Sequence, residues 1–198
     1  MGNEKQGQLI LITGGVRSGK SSFAEKLAQE SKKRVIYLAT ARAEDQEMRR
    51  RVLAHQDRRP HYFETLEEPL EPHLVFKNEL DSKTFILLDC LTLLVSNRIL
   101  ADLEQHGADR NGEDILAGED LLEAAAERAL DYVSVLADSV LKCPAEVAVV
   151  TNEVGMGLVP SYPLGRVFRD CSGRANQLLA DAADQVWLVV CGIPRRFK

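Results

Sequence analysis

Gly14-Gly15-Val16-Arg17-Ser18-Gly19-Lys20-Ser21 is the stretch that decides how this chain is read. The apolar run Leu9–Thr13 precedes it and a helical pattern over 21–32 follows. A strand, a glycine-rich turn and a helix in that order, with the spacing G-x4-G-K-[ST], build a phosphate cradle. The glycines let the backbone turn its N–H groups inward around a phosphate, and the helix start adds the positive end of its dipole. Phosphate contact is therefore expected along Gly14, Gly15, Val16, Arg17, Ser18, Gly19, Lys20 and Ser21. The Lys20 ammonium reaches the β- and γ-phosphates of ATP or GTP, and the Ser21 hydroxyl is a ligand for Mg²⁺. The bland alternative, a chance turn between strand and helix, has to explain a full motif match with both flanking elements in place.

Outward from this loop, short apolar runs alternate with helical patterns. Strands are expected at 9–13, 34–40, 84–89, 146–151 and 185–191, and helices at 21–32, 43–56, 91–103 and 163–183. A further long helix carries Leu121, Ala125, Ala129, Val133, Leu136 and Val140 on one stripe. In the 163–183 helix, Leu164, Val167, Phe168, Cys171, Ala175 and Leu178 form the inward face. The polar, glycine-containing stretch 106–118 reads as a surface loop. Phe85-Ile86-Leu87-Leu88 and Val147-Ala148-Val149-Val150 are apolar on both strand faces, which suits the interior of a parallel sheet. The expected fold is α/β: a single P-loop NTPase domain of the RecA-like kind over residues 1–198. Its central sheet is mostly parallel, with helices on both faces. Ligands in such sheets lie beyond the carboxyl ends of the strands. That singles out 14–21, 40–42, 89–92, 152–160 and 192–195.

Composition narrows the partners. A chain of 198 residues fits one ordinary domain. With 45% hydrophobic and 28% charged residues it has the balance of a soluble globular protein. A net charge of -5 and a pI near 5.5 argue against a nucleic-acid partner, which calls for a basic face. Cys90, Cys143, Cys171 and Cys191 form no CxxC pair and read as reduced, mostly buried thiols of a cytoplasmic protein, not as a metal site. The polar start at Met1 and the short apolar runs fit no signal peptide or membrane span.

Three further groups carry chemistry. Asp89 ends Phe85-Ile86-Leu87-Leu88 in a carboxylate, a pattern that holds Mg²⁺ directly or through water; the competing role is a cap for the next helix. His55 sits in Arg51-Val52-Leu53-Ala54-His55-Gln56-Asp57-Arg58-Arg59-Pro60. Alone it reads as a boundary histidine, but Arg58 and Arg59 make the segment cationic, and a neutral imidazole is a competent nucleophile toward phosphorus. Thr151-Asn152-Glu153-Val154-Gly155-Met156-Gly157-Leu158-Val159-Pro160 follows a buried strand at the ligand face; an ordinary strand-to-helix loop is its structural alternative. Arg166, Arg169, Arg174 and the tail Arg195-Arg196-Phe197-Lys198 read as solvated.

Together these motifs resemble the bifunctional adenosylcobinamide kinase / adenosylcobinamide-phosphate guanylyltransferases of cobalamin biosynthesis. The likeness runs from about Leu9 to Gly192. It rests on the glycine-rich loop, on His55-Gln56-Asp57-Arg58-Arg59-Pro60, on Leu87-Leu88-Asp89-Cys90-Leu91-Thr92 and on the block that opens with Val150-Thr151-Asn152-Glu153-Val154-Gly155. The resemblance implies phosphorylation of the corrinoid hydroxyl with ATP or GTP. It also implies transfer of GMP from GTP to that phosphate through a guanylylated histidine, whose matching position is His55. It implies nucleotide contacts at Ala39, Thr40, Ala41, Gln56, Asp57, Arg58, Arg59, Glu67 and Asp89, catalytic roles for His55 and Lys20, and a homotrimer. Phe63 stands where many relatives carry Trp, which bears on the surface near the histidine. A plain small-molecule kinase with an inert His55 and a nucleotide-binding regulatory protein are the rival readings. No Asn-Lys-x-Asp run supports a guanine-reading switch.

Overall fold

The computed structural model describes residues 7–42, 60–111 and 114–198. The expected helix over 43–56 and, with it, His55, Gln56, Asp57, Arg58 and Arg59 lie outside the described residues.

The five expected strand runs form one sheet, extended at its edges by two strands that were not expected, 64–67 and 193–196. Strands β1 (Leu9–Thr13), β2 (Arg34–Ala39), β3 (Glu64–Glu67), β4 (Thr84–Asp89), β7 (Glu146–Val150), β8 (Gln185–Val190) and β9 (Ile193–Arg196) lie in the order β3-β2-β4-β7-β1-β8-β9. All neighbours are parallel except β8 and β9, which form a terminal antiparallel pair. Helices α1 (Lys20–Glu30), α2 (Leu91–Gln105), α3 (Glu119–Lys142) and α4 (Pro163–Ala182) are the crossovers among the described residues.

Alternation along each strand divides the core in two. Leu9, Leu11, Ile36, Leu38, Ile86 and Leu88 face the apolar sides of α2, α3 and α4. Ile10, Ile12, Val35, Tyr37, Phe85 and Leu87 face the opposite way, with Ala24 and Ala28 of α1. Leu87 and Leu88 are fully buried on opposite faces, and each such side chain contributes about 1.5–3 kcal/mol of burial. That is why β4 reads as a continuous apolar run.

Several expectations need correction. The stretch 106–118 is not all loop: Asp109–Asn111 (β5) and Asp114–Leu116 (β6) pair as a separate antiparallel ribbon. On α4, Leu179 is fully buried and Leu178 is exposed. The i, i+4 row Cys171, Ala175, Leu179 sets the inward face. The tail is solvent-exposed as expected and is also ordered: Arg195 and Arg196 pair with β8, and Lys198 Nζ donates to the carbonyls of Ala180 and Asp181 at the end of α4. Residues 72–77, Pro72–Lys77, form a 3₁₀ helix that no apolar period announced.

Candidate active site

The loop 14–21 leaves β1 and enters α1 as the motif requires. Gly19 adopts φ 99°, and a Cβ on it would stand 3.1 Å from the Gly192 Cα. A Cβ on Gly14 would meet the Val189 carbonyl oxygen at 2.4 Å. Both positions therefore exclude other residues on steric grounds. The loop is tied to its neighbours on either side: Gly192 N–H donates to the Ser18 carbonyl (2.8 Å) and Glu153 N–H to the Gly14 carbonyl (3.0 Å). Gly19 caps α1 without any side-chain hydrogen bond, so no side chain competes for the first N–H groups of the helix. Val16 and Arg17 form the exposed apex.

Lys20 is buried, with 7% of its surface exposed, and its Nζ donates to the Gly15 carbonyl at 2.7 Å. Burial pushes its pKa below the usual lysine value, and the nearby Asp89 carboxylate opposes that shift.

The sheet register gathers the other candidates. Glu67 pairs with Ala39, Ala39 with Asp89, Asp89 with Val150, and Val150 with Ile12. Residues far apart in the sequence thus end their strands in one row, beside the phosphate loop. Asp89 is not a helix cap: α2 is capped by Cys90, again without a side-chain bond. Its Oδ2 accepts a hydrogen bond from the buried Tyr37 hydroxyl at 2.7 Å. A hydroxyl at Ser21 and a carboxylate at Asp89 make an all-oxygen donor pair. That suits Mg²⁺, which takes one or two protein oxygens and fills its shell with phosphate oxygens and water.

Thr40 is fully buried at the exit of β2. Its Oγ1 donates to the Cys90 carbonyl (2.7 Å) and accepts from Cys90 N–H (2.8 Å), and its own N–H donates to the Asp89 carbonyl. Asn97 on α2 then uses its Nδ2 twice, on the carbonyls of Thr40 (2.8 Å) and Pro69 (3.0 Å). The exits of β2 and β3 are held together as one shelf that includes Ala39, Thr40, Ala41 and Glu67. The loop after β7 is fixed by a similar device. Thr92 Oγ1 accepts from Asn152 N–H (2.7 Å), Asn176 Nδ2 donates to the Asn152 carbonyl (3.0 Å), and Thr151 Oγ1 donates to Asn176 Oδ1 (2.7 Å).

The arrangement has the parts for nucleoside triphosphate chemistry, and comparison with known proteins gives the family. The model of the cobinamide kinase / cobinamide phosphate guanyltransferase family (CobU) matches residues 10–197. The chain belongs to this family. It is similar to the bifunctional adenosylcobalamin biosynthesis protein CobU of Salmonella typhimurium, with 43% identity over 96% of this chain and 99% of that protein. The Escherichia coli CobU is 39% identical over 96% of this chain and 99% of its own length. The CobP protein of Pseudomonas aeruginosa is 39% identical over 95% and 96%. Among solved structures, the assembled ATPase EscN of the enteropathogenic E. coli type III secretion system superposes with a TM-score of 0.55 at 13% identity. It covers 93% of this chain and 43% of EscN, a likeness of fold alone. The fold is that of the P-loop NTPases, and the enzyme is a bifunctional cobinamide kinase and cobinamide phosphate guanylyltransferase of cobalamin biosynthesis.

In this CobU-family enzyme, the structure brings Gly14 to Ser21, Ala39 to Ala41, Glu67 and Asp89 to one edge of the sheet, while His55 to Arg59 fall outside the described residues. Phe63 is buried and packs edge-on against Tyr62, so it offers no open stacking face. Reading the sequence missed Tyr37, Asn97 and Asn176. The available signal was a polar group inside an otherwise apolar strand or helix face, as in Val35-Ile36-Tyr37-Leu38 and Leu94-Val95-Ser96-Asn97.

Proposed function

We propose that one phosphate cradle serves both reactions and that His55 carries the nucleotidyl group between them. GTP docks with its polyphosphate along 14–21, and Ala39–Ala41 with Glu67 receive the nucleoside side. Lys20 neutralises charge that develops on the leaving phosphates, and Ser21 and Asp89 would hold a Mg²⁺ that supplies further neutralisation there. A neutral His55 nitrogen attacks the α-phosphorus, forming a P–N bond as the bond to pyrophosphate breaks. A phosphate oxygen of adenosylcobinamide phosphate then attacks the same phosphorus, releasing His55 and giving adenosylcobinamide-GDP. In the kinase reaction the γ-phosphoryl group passes from ATP or GTP to the corrinoid hydroxyl, leaving the nucleoside diphosphate.

The observation that carries this reading is the row Glu67, Ala39, Asp89, Val150 and Ile12 at the mouth of the phosphate loop. Thr40 stands in that row's edge, and the chain that carries His55 departs from it. Gln56, Asp57, Arg58 and Arg59 are nucleotide contacts in this account, a role supported by the family likeness. The single domain works as a homotrimer in the cytoplasm; the family likeness supports the trimer, and four free thiols support a reducing compartment. Among the described residues, no helix is long and apolar enough to cross a membrane.

The two halves separate by mutation. His55→Ala retains γ-phosphoryl transfer from ATP to adenosylcobinamide and forms no adenosylcobinamide-GDP. Guanylyl transfer at the unmutated rate by His55→Ala would show that a group other than His55 carries GMP, whereas a wild type that only phosphorylates would leave the plain-kinase reading in place.

A further inference from the structure

Exposed large apolar side chains scattered one by one call for no explanation, but a cluster does. Met156, Leu158, Val159 and Tyr162 are 86%, 96%, 66% and 60% exposed, all within the short loop after β7. Between Thr151 and Tyr162 the only charged residue is Glu153. The loop therefore presents an apolar, nearly uncharged surface.

It is also held in place. At its start, Asn152 is bonded through both its N–H and its carbonyl. At its end, Arg166 Nη1 donates to the Ser161 carbonyl (2.9 Å) and reaches that of Pro160 (3.4 Å). Gly165 leaves room for the Tyr162 ring, which a Cβ there would meet at 2.6 Å, and for Pro160 at 2.8 Å. A loop stitched at both ends presents its apolar groups without first having to be ordered.

Its place in the sheet says what the surface faces. β7 lies between β4, which ends in Asp89, and β1, which feeds the phosphate loop. Glu153 N–H joins the loop directly to Gly14. The β7 exit therefore emerges where a transferred phosphoryl group meets its acceptor. Ala39 and Glu67 end β2 and β3, on the other side of Asp89. On the proposed reading the nucleoside lies on that side of Asp89 and leaves the loop uncovered.

We propose that Met156, Leu158, Val159 and Tyr162 form the platform on which the corrin macrocycle of the acceptor rests. A corrin ring offers broad faces edged with methyl groups and neutral amides. That complements the apolar surface of a loop that carries no lysine or arginine of its own. Its aminopropanol arm then extends over Glu153 toward the phosphate cradle. The proposal rests on the reading that the phosphate loop is the site of both transfers.

The test compares the wild type with Met156→Ser/Leu158→Ser and with Leu158→Met, varying adenosylcobinamide at saturating ATP. Both positions are solvent-exposed, so the serines leave the core intact. The double variant raises KM for adenosylcobinamide about tenfold or more with kcat near wild type, in line with the loss of two buried apolar groups. Leu158→Met keeps the wild-type KM. Labelling by GTP without corrinoid, measured on the same samples, stays unchanged; failure of the wild type to label would count against the His55 reading and not against the platform. The proposal is overturned by a KM within about twofold of wild type. It is equally overturned if KM rises only together with a change in sedimentation mass, because the surface is then a contact between copies of the chain.

Discussion

Lys20 folds back on its own loop, donating its ammonium to the Gly15 carbonyl oxygen at 2.7 Å. In the proposed mechanism the same ammonium turns instead to the phosphate oxygens of bound nucleotide. Burial holds the free lysine's pKa below its ordinary value of 10.5, with Asp89 opposing. In the free protein Lys20 thus loses its proton at a lower pH than an exposed lysine does, and triphosphate charge restores it. In that window the unfolded chain binds the extra proton, so the free protein gains stability as pH rises through it, whereas nucleotide affinity falls.

Nucleotide binding is accordingly expected to take up protons in the alkaline range. In the alkaline range below 10.5, calorimetric titration with ATP, whose base carries no proton that titrates there, gives different observed heats in two buffers of different ionisation enthalpy. Equal heats in both buffers would contradict this account of Lys20.

Tyr37→Phe removes the donor that holds Asp89 Oδ2 while leaving the buried ring in place. The fold loses about 0.5–1.5 kcal/mol, the net worth of one hydrogen bond. The larger effect falls on Mg²⁺: its half-saturation in the kinase assay rises several-fold, because the carboxylate is no longer oriented. A Mg²⁺ titration of the variant that overlays the wild type would separate Tyr37 from the metal.

Asn97→Ala strips the donors from two carbonyls at once, those of Thr40 and Pro69. Unsatisfied buried acceptors cost about 1–3 kcal/mol each, so a clear fall in Tm is expected. The shelf holding Ala39–Ala41 beside Glu67 also loosens. GTP affinity drops about tenfold while inorganic tripolyphosphate, which reads only the phosphate loop, binds as before. Equal weakening of both ligands would make Asn97 a residue of general stability.

Much of the fold was legible because the deciding signals are local. The phosphate loop is contiguous, and β4 and β7 are apolar on both faces because helices cover both sides of the sheet. The edge strands gave no such signal. Glu64-Thr65-Leu66-Glu67 is exposed throughout and pairs on one side only, and Ile193-Pro194-Arg195-Arg196 carries a proline that only an edge strand accommodates. Leu178 and Leu179 differ by one position, within the angular resolution of a helical period. In the site, the candidate residues stand in recognisable motifs, but the groups that support them do not. Tyr37 reaches Asp89 across 52 positions, and Asn97 reaches Thr40 across 57. Such pairs exist only once the sheet has assembled, and in Asn97 the contacts are to backbone carbonyls, which leave no trace in residue type.

The central claim is that His55 becomes covalently guanylylated. Intact mass after incubation with GTP and Mg²⁺, with no corrinoid present, tests it most directly. The account predicts a gain of one GMP that is acid-labile, absent in His55→Ala and discharged by adenosylcobinamide phosphate. An unmodified mass with GTP demonstrably bound, or an adduct that persists in His55→Ala, would contradict it.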